Sequence, residues 1–298
     1  MKKENLGILL VLCTAVLSGI AIPANKIFIV KTDPAVFTAV RAIIIGLLFL
    51  ALTLWMNRGK KKQLFTVDWK YLASIAVIGG AAAFLLYFTG LQLTTSGHAA
   101  FLHKTLPIYT AILAFLFLGE KLTKKTAAVI AVMFLGVYLI YSSAISPAEM
   151  WSNPQLGDLL VLAAAFLWGV ENVIAKKAMI RGENNFIVSF SRMFFGGLIL
   201  FGAVILMGKT DALLALSSQQ LINIVISTLL LFGYVLTYYW AIKLIDVSKA
   251  ATLLLIAPVV SLMLGILFLG EPAPLIQLFG SALVLAGAYF ITAEERGI

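Results

Sequence analysis

Leu116-Phe117-Leu118-Gly119-Glu120 recurs as Leu267-Phe268-Leu269-Gly270-Glu271, an offset of 151. Working outward at that offset, Arg41 matches Arg192, Gly46 matches Gly197 and Tyr87 matches Tyr238. Leu93 falls on Leu244, Pro107 on Pro258, Gly136 on Gly287 and Tyr138 on Tyr289. Nearer the N-terminus the offset is 150, and Gly7, Leu9, Leu10, Val11, Leu12 and Gly19 fall on Gly157, Leu159, Leu160, Val161, Leu162 and Gly169. One insertion between the first two apolar runs explains the change. The chain reads as a tandem repeat, residues 1–150 and 151–298.

The repeat is built almost wholly from apolar residues. Of 298 residues 62% are hydrophobic and 12% charged, with a mean hydropathy of +1.04. Soluble domains carry about 25% charged residues, and the polar residues here could not cover a water-soluble globule. That excludes a soluble enzyme, a nucleic-acid-binding module and a disordered chain. Apolar runs long enough to cross a bilayer core lie at about 6–25, 34–56, 71–93, 98–118, 125–142, 156–177, 186–207, 220–241, 249–269 and 274–292. Period-2 alternation is absent, which argues against a membrane β-barrel. The expectation is an all-α integral membrane protein with ten transmembrane helices.

Met1-Lys2-Lys3 before an apolar run has the look of a signal peptide. No small-x-small site closes that run, Leu12 precedes Cys13, and the repeat includes the segment, so it is read as a retained helix. The net charge of +9 reflects topology more than a nucleic-acid partner. With the N-terminus inside, Lys2, Lys3, Arg58, Lys60, Lys61, Lys62, Lys70, Lys121, Lys124, Lys125, Lys176, Lys177, Arg181, Lys243, Lys249 and Arg296 fall on the inner side. Lys26, Lys31 and Lys209 fall outside. This bias predicts a multi-pass protein of the inner, cytoplasmic cell membrane with both termini cytoplasmic. A single cysteine excludes an intramolecular disulfide, and with two histidines it leaves no basis for a structural zinc. No metal and no cofactor is expected, and the absence of a Walker loop excludes ATP-driven transport within this chain.

Five spans per repeat is an odd number, so the second copy crosses the membrane upside down relative to the first. Inverted five-helix repeats are an architecture of secondary transporters, with the substrate near the midplane between the halves. Ten spans in two repeats, each closing its fourth span on LFLGE and carrying an Arg early in its second, resemble the drug/metabolite transporter superfamily, EamA type. The resemblance covers about Gly7 to Thr292. It implies a carrier of amino acids, sugars, nucleotide derivatives or drugs, often an exporter.

Charged groups inside spans need partners or a water-lined cavity. Arg41 with Glu271 and Arg192 with Glu120 are expected as two pseudo-symmetric structural or gating pairs. Glu171 and Asn172 break the repeat, because Ala21 and Ile22 stand at the equivalent positions. Trp168, Glu171 and Asn172 share one helix face, and Thr14, Ser18 and Asn25 form the matching stripe on the first span. Glu171 is the expected proton-coupling residue or cation contact, with a Glu171–Lys104 pair as the bland alternative. His103 and Lys104 precede Pro107, which with Pro258 leaves a carbonyl free in each broken span; Lys104 is placed to meet a carboxylate or phosphate. Tyr87, Tyr238 and Tyr234 are expected to line the cavity, whereas Tyr239 and Trp240 project elsewhere. Trp55, Trp69 and Trp151 suit the interfacial belt, and Gly79-Gly80-Ala81-Ala82-Ala83 suits close packing.

The expected substrate-binding set is therefore Ser18, Asn25, Tyr87, His103, Lys104, Trp168, Glu171, Asn172, Tyr234 and Tyr238. Arg41, Glu271, Arg192, Glu120, Pro107 and Pro258 make up the structural and gating set. The expected partners are a small-molecule substrate and the lipid bilayer. The expected activity is export of amino acids or related metabolites by alternating access, possible coupling to protons falling to Glu171. The alternatives are a multidrug, nucleotide-derivative or sugar-derivative carrier, an intramembrane enzyme using His98, His103 and Glu171, and a channel or inert structural protein.

Overall fold

The computed structural model describes residues 2–28, 32–56, 69–145, 155–272 and 274–293. Lys31, Arg58, Lys60, Lys61, Lys62, Trp151 and Arg296 lie outside the described residues. Among the described residues all regular structure is helical, and ten helical segments are long and apolar enough to cross a membrane. We number them spans 1 to 10: Lys3–Asn25, Pro34–Met56, Trp69–Leu93, Ser96–Leu118, Lys124–Tyr141, Leu156–Ile180, Asn185–Leu206, Ser218–Leu244, Val247–Phe268 and Leu275–Ala293. At 1.5 Å rise per residue their 18 to 27 residues suit a hydrocarbon core of about 30 Å. Leu206, Leu275 and Phe268 are 90%, 83% and 77% exposed. Such a surface is stable only against acyl chains. An even number of spans returns both chain ends to one side, the terminal face; the other is the distal face.

Glycines at matched positions show how the repeats meet. A Cβ on Gly46 would lie 2.5 Å from Phe194, and one on Gly197 would lie 2.9 Å from the Ile43 amide. Ile43 and Phe194 are themselves repeat mates, so spans 2 and 7 cross on the pseudo-two-fold axis. Spans 5 and 10 cross the same way, with Gly136 against Gly280 and Val284, and Gly287 against Met133. Close helix approach of this kind supplies the packing that lipid cannot.

The first span of each repeat packs on the other repeat. Gly7 meets Leu244 and Ile245 at the end of span 8, while Gly157 meets Gly90 and Leu93 at the end of span 3. Gly19 meets Val260 on span 9, and Gly169 meets Tyr109 on span 4. Spans 1 and 6 are thus exchanged between the halves. Gly19 and Gly169 are packing points.

The LFLGE motif ends spans 4 and 9 in one way. Gly119 and Gly270 adopt the left-handed conformation, φ +72° and +65°, and the Glu120 and Glu271 amides bond to the Ala114 and Gly265 carbonyls. This is a Schellman-type stop. It throws the glutamate back towards the neighbouring elements. What each glutamate then reaches differs.

Candidate functional site

Span 4 breaks where the prolines demand. Helix Ser96–His103 gives way at Lys104 and Thr105 to helix Leu106–Leu118, with Pro107 in its first turn. The Lys104 amide donates to Phe101 at 2.8 Å, and the Thr105 amide and hydroxyl donate to Leu102 at 3.1 and 2.7 Å. Span 9 adjusts more gently, through a 3-10 turn Leu254–Ile256 before Pro258. The break in span 4 turns His103 and Lys104 inwards.

His103 then sits 5.0 Å from Trp168 and 5.5 Å from Tyr87, ring centre to ring centre, and Tyr87 lies 5.5 Å from Trp168. Phe84 closes the group edge-on to Trp168 at 5.2 Å. The indole of Trp168 donates to the Gly79 carbonyl at 3.1 Å. Lys104 is buried beside this cluster, and among the described residues no carboxylate comes within ion-pair distance of its ammonium. Spans 3, 4 and 6 thus bring an aromatic wall and an unneutralised cation to one place. That set suits a small molecule with an anionic end and an apolar body.

Glu171 is wholly buried on span 6, one turn beyond Trp168. It accepts a short hydrogen bond from the Tyr239 hydroxyl, and its second carboxylate oxygen lies 3.7 Å from Arg192 Nε. The Arg192 guanidinium lies 5.8 Å over Phe84 and 5.6 Å over Tyr239. Gly79 makes room for the carboxylate, since a Cβ there would lie 2.1 Å from Glu171 Cγ. Gly79 and Gly80 lie in a π-helical turn, Ile78–Ala82, that faces a second one, Ser191–Phe195, around Arg192. Tyr238 stacks on Tyr234 at 5.9 Å and on Tyr239 edge-on at the same distance.

Three expected pairings are corrected. Arg192 pairs with Glu171, which overturns both an Arg192–Glu120 pair and a Glu171–Lys104 pair. Arg41 does not meet Glu271; its Nη1 donates to Ser227 Oγ at 2.7 Å, and that hydroxyl donates to Asn25 Oδ1 at 2.6 Å. Tyr239 does not project away but holds the carboxylate. The physical reason is common to the two arginine pairings. The arginines lie two turns inside their spans, whereas the glutamate of LFLGE follows a left-handed glycine that carries it past the helix end.

Glu120 instead receives the Val247 and Ser248 amides at 2.7 and 3.0 Å and the Ser248 hydroxyl, at the N-terminus of span 9. A carboxylate there satisfies free amides and complements the helix dipole. The positions equivalent to Val247 and Ser248 are Ser96 and Gly97, and Glu271 does not reach them; it is exposed and folds against its own span at Gly265. Helix Val247–Leu253 packs on helix Leu106–Leu118, whereas the mirrored pair, Ser96–His103 and Ala257–Leu269, does not pack in that way. Spans 4 and 9 are tied at the terminal face by a contact that has no mirrored counterpart at the distal face. Lys249–Glu4 at 3.1 Å adds a tie at the terminal rim, and the Thr94 hydroxyl donates to Asp158 at the distal rim.

The other expected positions are more scattered. Thr14 bonds Thr237 at 2.7 Å, Ser18 is half-buried on span 1 and Asn172 is buried on span 6. Of the residues the enzyme alternative names, His103 packs on Tyr87 and Trp168, Glu171 meets Tyr239 and Arg192, and His98 lies near the distal end of span 4, its Nδ1 without a hydrogen-bond partner among the described residues. Sequence reasoning missed Tyr239, Phe84, Gly79 and Ser227. Only the Gly79-Gly80 pair left a signal, and it reads as ordinary packing.

The sequence pattern of the EamA-like transporter family matches residues 5–142 and, again, 155–293. The chain belongs to the EamA-like transporter family. This EamA-like chain is 26% identical to "Uncharacterized transporter YoaV" of Bacillus subtilis, over 98% of this chain and 97% of that one. An "Uncharacterized transporter" of Archaeoglobus fulgidus is 25% identical over 91% and 92%. The "Probable amino-acid metabolite efflux pump" of Salmonella typhimurium is 26% identical over 65% and 66%. A crystal structure at 18% identity superposes with a TM-score of 0.79, covering 97% of this chain and 98% of that one, and shows the same fold.

Proposed function

We propose that this EamA-like transporter is a secondary carrier that exports amino acids or related small metabolites by alternating access, coupled to protons through Glu171. The observation that carries the reading is the broken pseudo-symmetry between Glu120 and Glu271. Two copies of one motif make different contacts, as they must in a molecule with one side closed. The proposed transport step exchanges the Glu120 cap on span 9 for a Glu271 cap on Ser96 and Gly97. Spans 4 and 9 then part at the terminal face. The repeats divide between residues 150 and 151, and the terminal face is cytoplasmic, as the lysine and arginine bias directs.

In this mechanism Lys104 meets the carboxylate of the substrate, and Tyr87, His103 and Trp168 hold its apolar body. Glu171 faces Arg192 and Tyr239, with Tyr234 and Tyr238 beyond. Protonation of Glu171 frees Arg192 from its counter-charge and loosens spans 6, 7 and 8 against each other. The amino-acid class draws support from the name of the Salmonella relative and from the unneutralised Lys104.

The test is counterflow in proteoliposomes with amino acids, nucleotides, sugars and cationic drugs as loads. Saturable exchange of amino acids, lost in Lys104→Ala, is expected. Glu171→Gln should leave exchange that no longer responds to pH; a pH response equal to that of the unmodified chain discards the coupling role. Conduction without saturation or counterflow would sink the carrier reading.

A further inference from the structure

Arg41 and Arg192 are repeat mates in opposite surroundings. Arg192 has its carboxylate, Glu171, from span 6. At the position of Glu171 the first repeat has Ala21. Among the described residues Arg41 has no carboxylate partner, yet it is only 6% exposed, and its Nε finds no acceptor. Its other contacts are the Phe37 ring at 4.6 Å and the Ser227 hydroxyl. An unneutralised buried guanidinium is costly.

The polar residues around the two arginines are exchanged. Ser227 and Asn25, which join Arg41, correspond to Ala76 and Ala175 in the other half. Arg192 therefore meets an anion, held by the Tyr239 hydroxyl, whereas Arg41 meets neutral polar groups and, among the described residues, no anion. With Asn25 Oδ1 accepting from Ser227, the Asn25 amide nitrogen remains a further donor. Thr38, one turn before Arg41 on the same helix face, carries a buried hydroxyl without a partner. Ala21, one turn before Asn25, carries no carboxylate where its repeat mate Glu171 does, and Leu230 stands at the position of Gly79.

We propose that Arg41, Asn25 and Ser227 form a carboxylate-binding subsite, in which an acid from outside the chain takes the place that Glu171 holds for Arg192. Arg41 presents its guanidinium fork, the form of donor that fits a carboxylate in two parallel bonds. The subsite lies in the distal half, on the side where spans 4 and 9 lack the Glu120-type tie. It rests on the carrier reading and deepens it, since it makes an acid group a requirement of the substrate.

Thermal melts of the detergent-purified full chain test this with acetate, benzoate and L-phenylalanine, each against its amide: acetamide, benzamide and L-phenylalaninamide. A saturable rise is expected with at least one acid and not with its amide. Ala21→Glu sets a carboxylate one turn from Asn25, so it should abolish that rise. Arg41→Lys keeps the charge but loses the fork, and should weaken the acid at least tenfold, which corresponds to about 1.4 kcal/mol. Equal responses to acid and amide, undiminished affinity in Arg41→Lys, or no rise with any acid would each overturn the subsite. Counterflow separates this from the parent reading. Exchange that persists in both variants overturns the subsite and leaves the carrier, whereas acid binding without exchange does the reverse.

Discussion

At the scale of residues, a buried group is defined by what meets it from other helices. Helical spacing put Trp168 and Glu171 on one face, and the structure keeps them there. It does not say how the facing helix is rotated, so Arg192 and Tyr239 as the partners of Glu171 were not legible. Lys104 was legible as a buried cation because a lysine inside an apolar run has few other readings. Gly79 shows what size alone controls: Gly79→Ala sets a methyl against Glu171 Cγ at 2.1 Å and should cost about 1–3 kcal/mol by overpacking. Pairing it with Glu171→Ala should recover part of that cost, so melts of the two single variants and the double variant will be non-additive if the contact is direct. Asp33 gives the pH prediction. Burial works to raise its carboxyl, but the Lys209 ammonium at 2.8 Å and the Val36 and Ala35 amides hold it below its ordinary value. The stability it adds is complete above the unfolded value of about 3.9 and is lost as pH falls through the lower folded value. For a partly exposed pair it is at most about 1 kcal/mol. Melts of Asp33→Asn should therefore fall below those of the unmodified chain at pH 7 and converge with them in acid; a gap constant with pH removes the ionised carboxylate from the explanation.

At the scale of elements, the LFLGE motif was legible as a repeat and its function as a helix stop was not. A positive-φ glycine followed by a glutamate spells a terminus only when the carboxylate has free amides to reach. Glu120 has them at Val247 and Ser248, and Glu271 has none in this state. The two positions therefore predict unequal outcomes. Glu120→Ala should cost about 0.5–2 kcal/mol, the range for a lost cap, and expose a cysteine placed on the terminal side of span 9 to a soluble thiol reagent. Glu271→Ala should change the melt by less than about 0.5 kcal/mol. Equal losses at both positions would mean that the carboxylates do not distinguish the two faces. The π-helical turns were not legible at all, because Gly-Gly in an apolar run has the same composition whether the helix widens or not.

At the scale of the whole molecule, span number, all-helical class and the tandem repeat were legible, since apolar run length and long-offset identity survive without knowledge of contacts. The exchange of spans 1 and 6 was not, because a repeat shows which residues correspond and not which of them touch. Gly7 and Gly19 rest on spans 8 and 9, and Gly157 and Gly169 on spans 3 and 4. Each half thus lacks a wall that only the other provides. Residues 1–150 or 151–298 produced alone should be polydisperse in detergent, and the two produced together should elute as one folded species. A monodisperse single half would contradict the exchanged packing.

The same exchange sets a timetable for biogenesis. Span 1 leaves the ribosome well before its partners, which lie roughly 200 residues downstream, and at about 5–20 residues per second that is on the order of ten to forty seconds of translation. Through that interval Thr14 and Asn25 have neither Thr237 nor Ser227 to bond. The opening helix must wait at the insertion machinery or beside its early neighbours until the second repeat arrives to claim it.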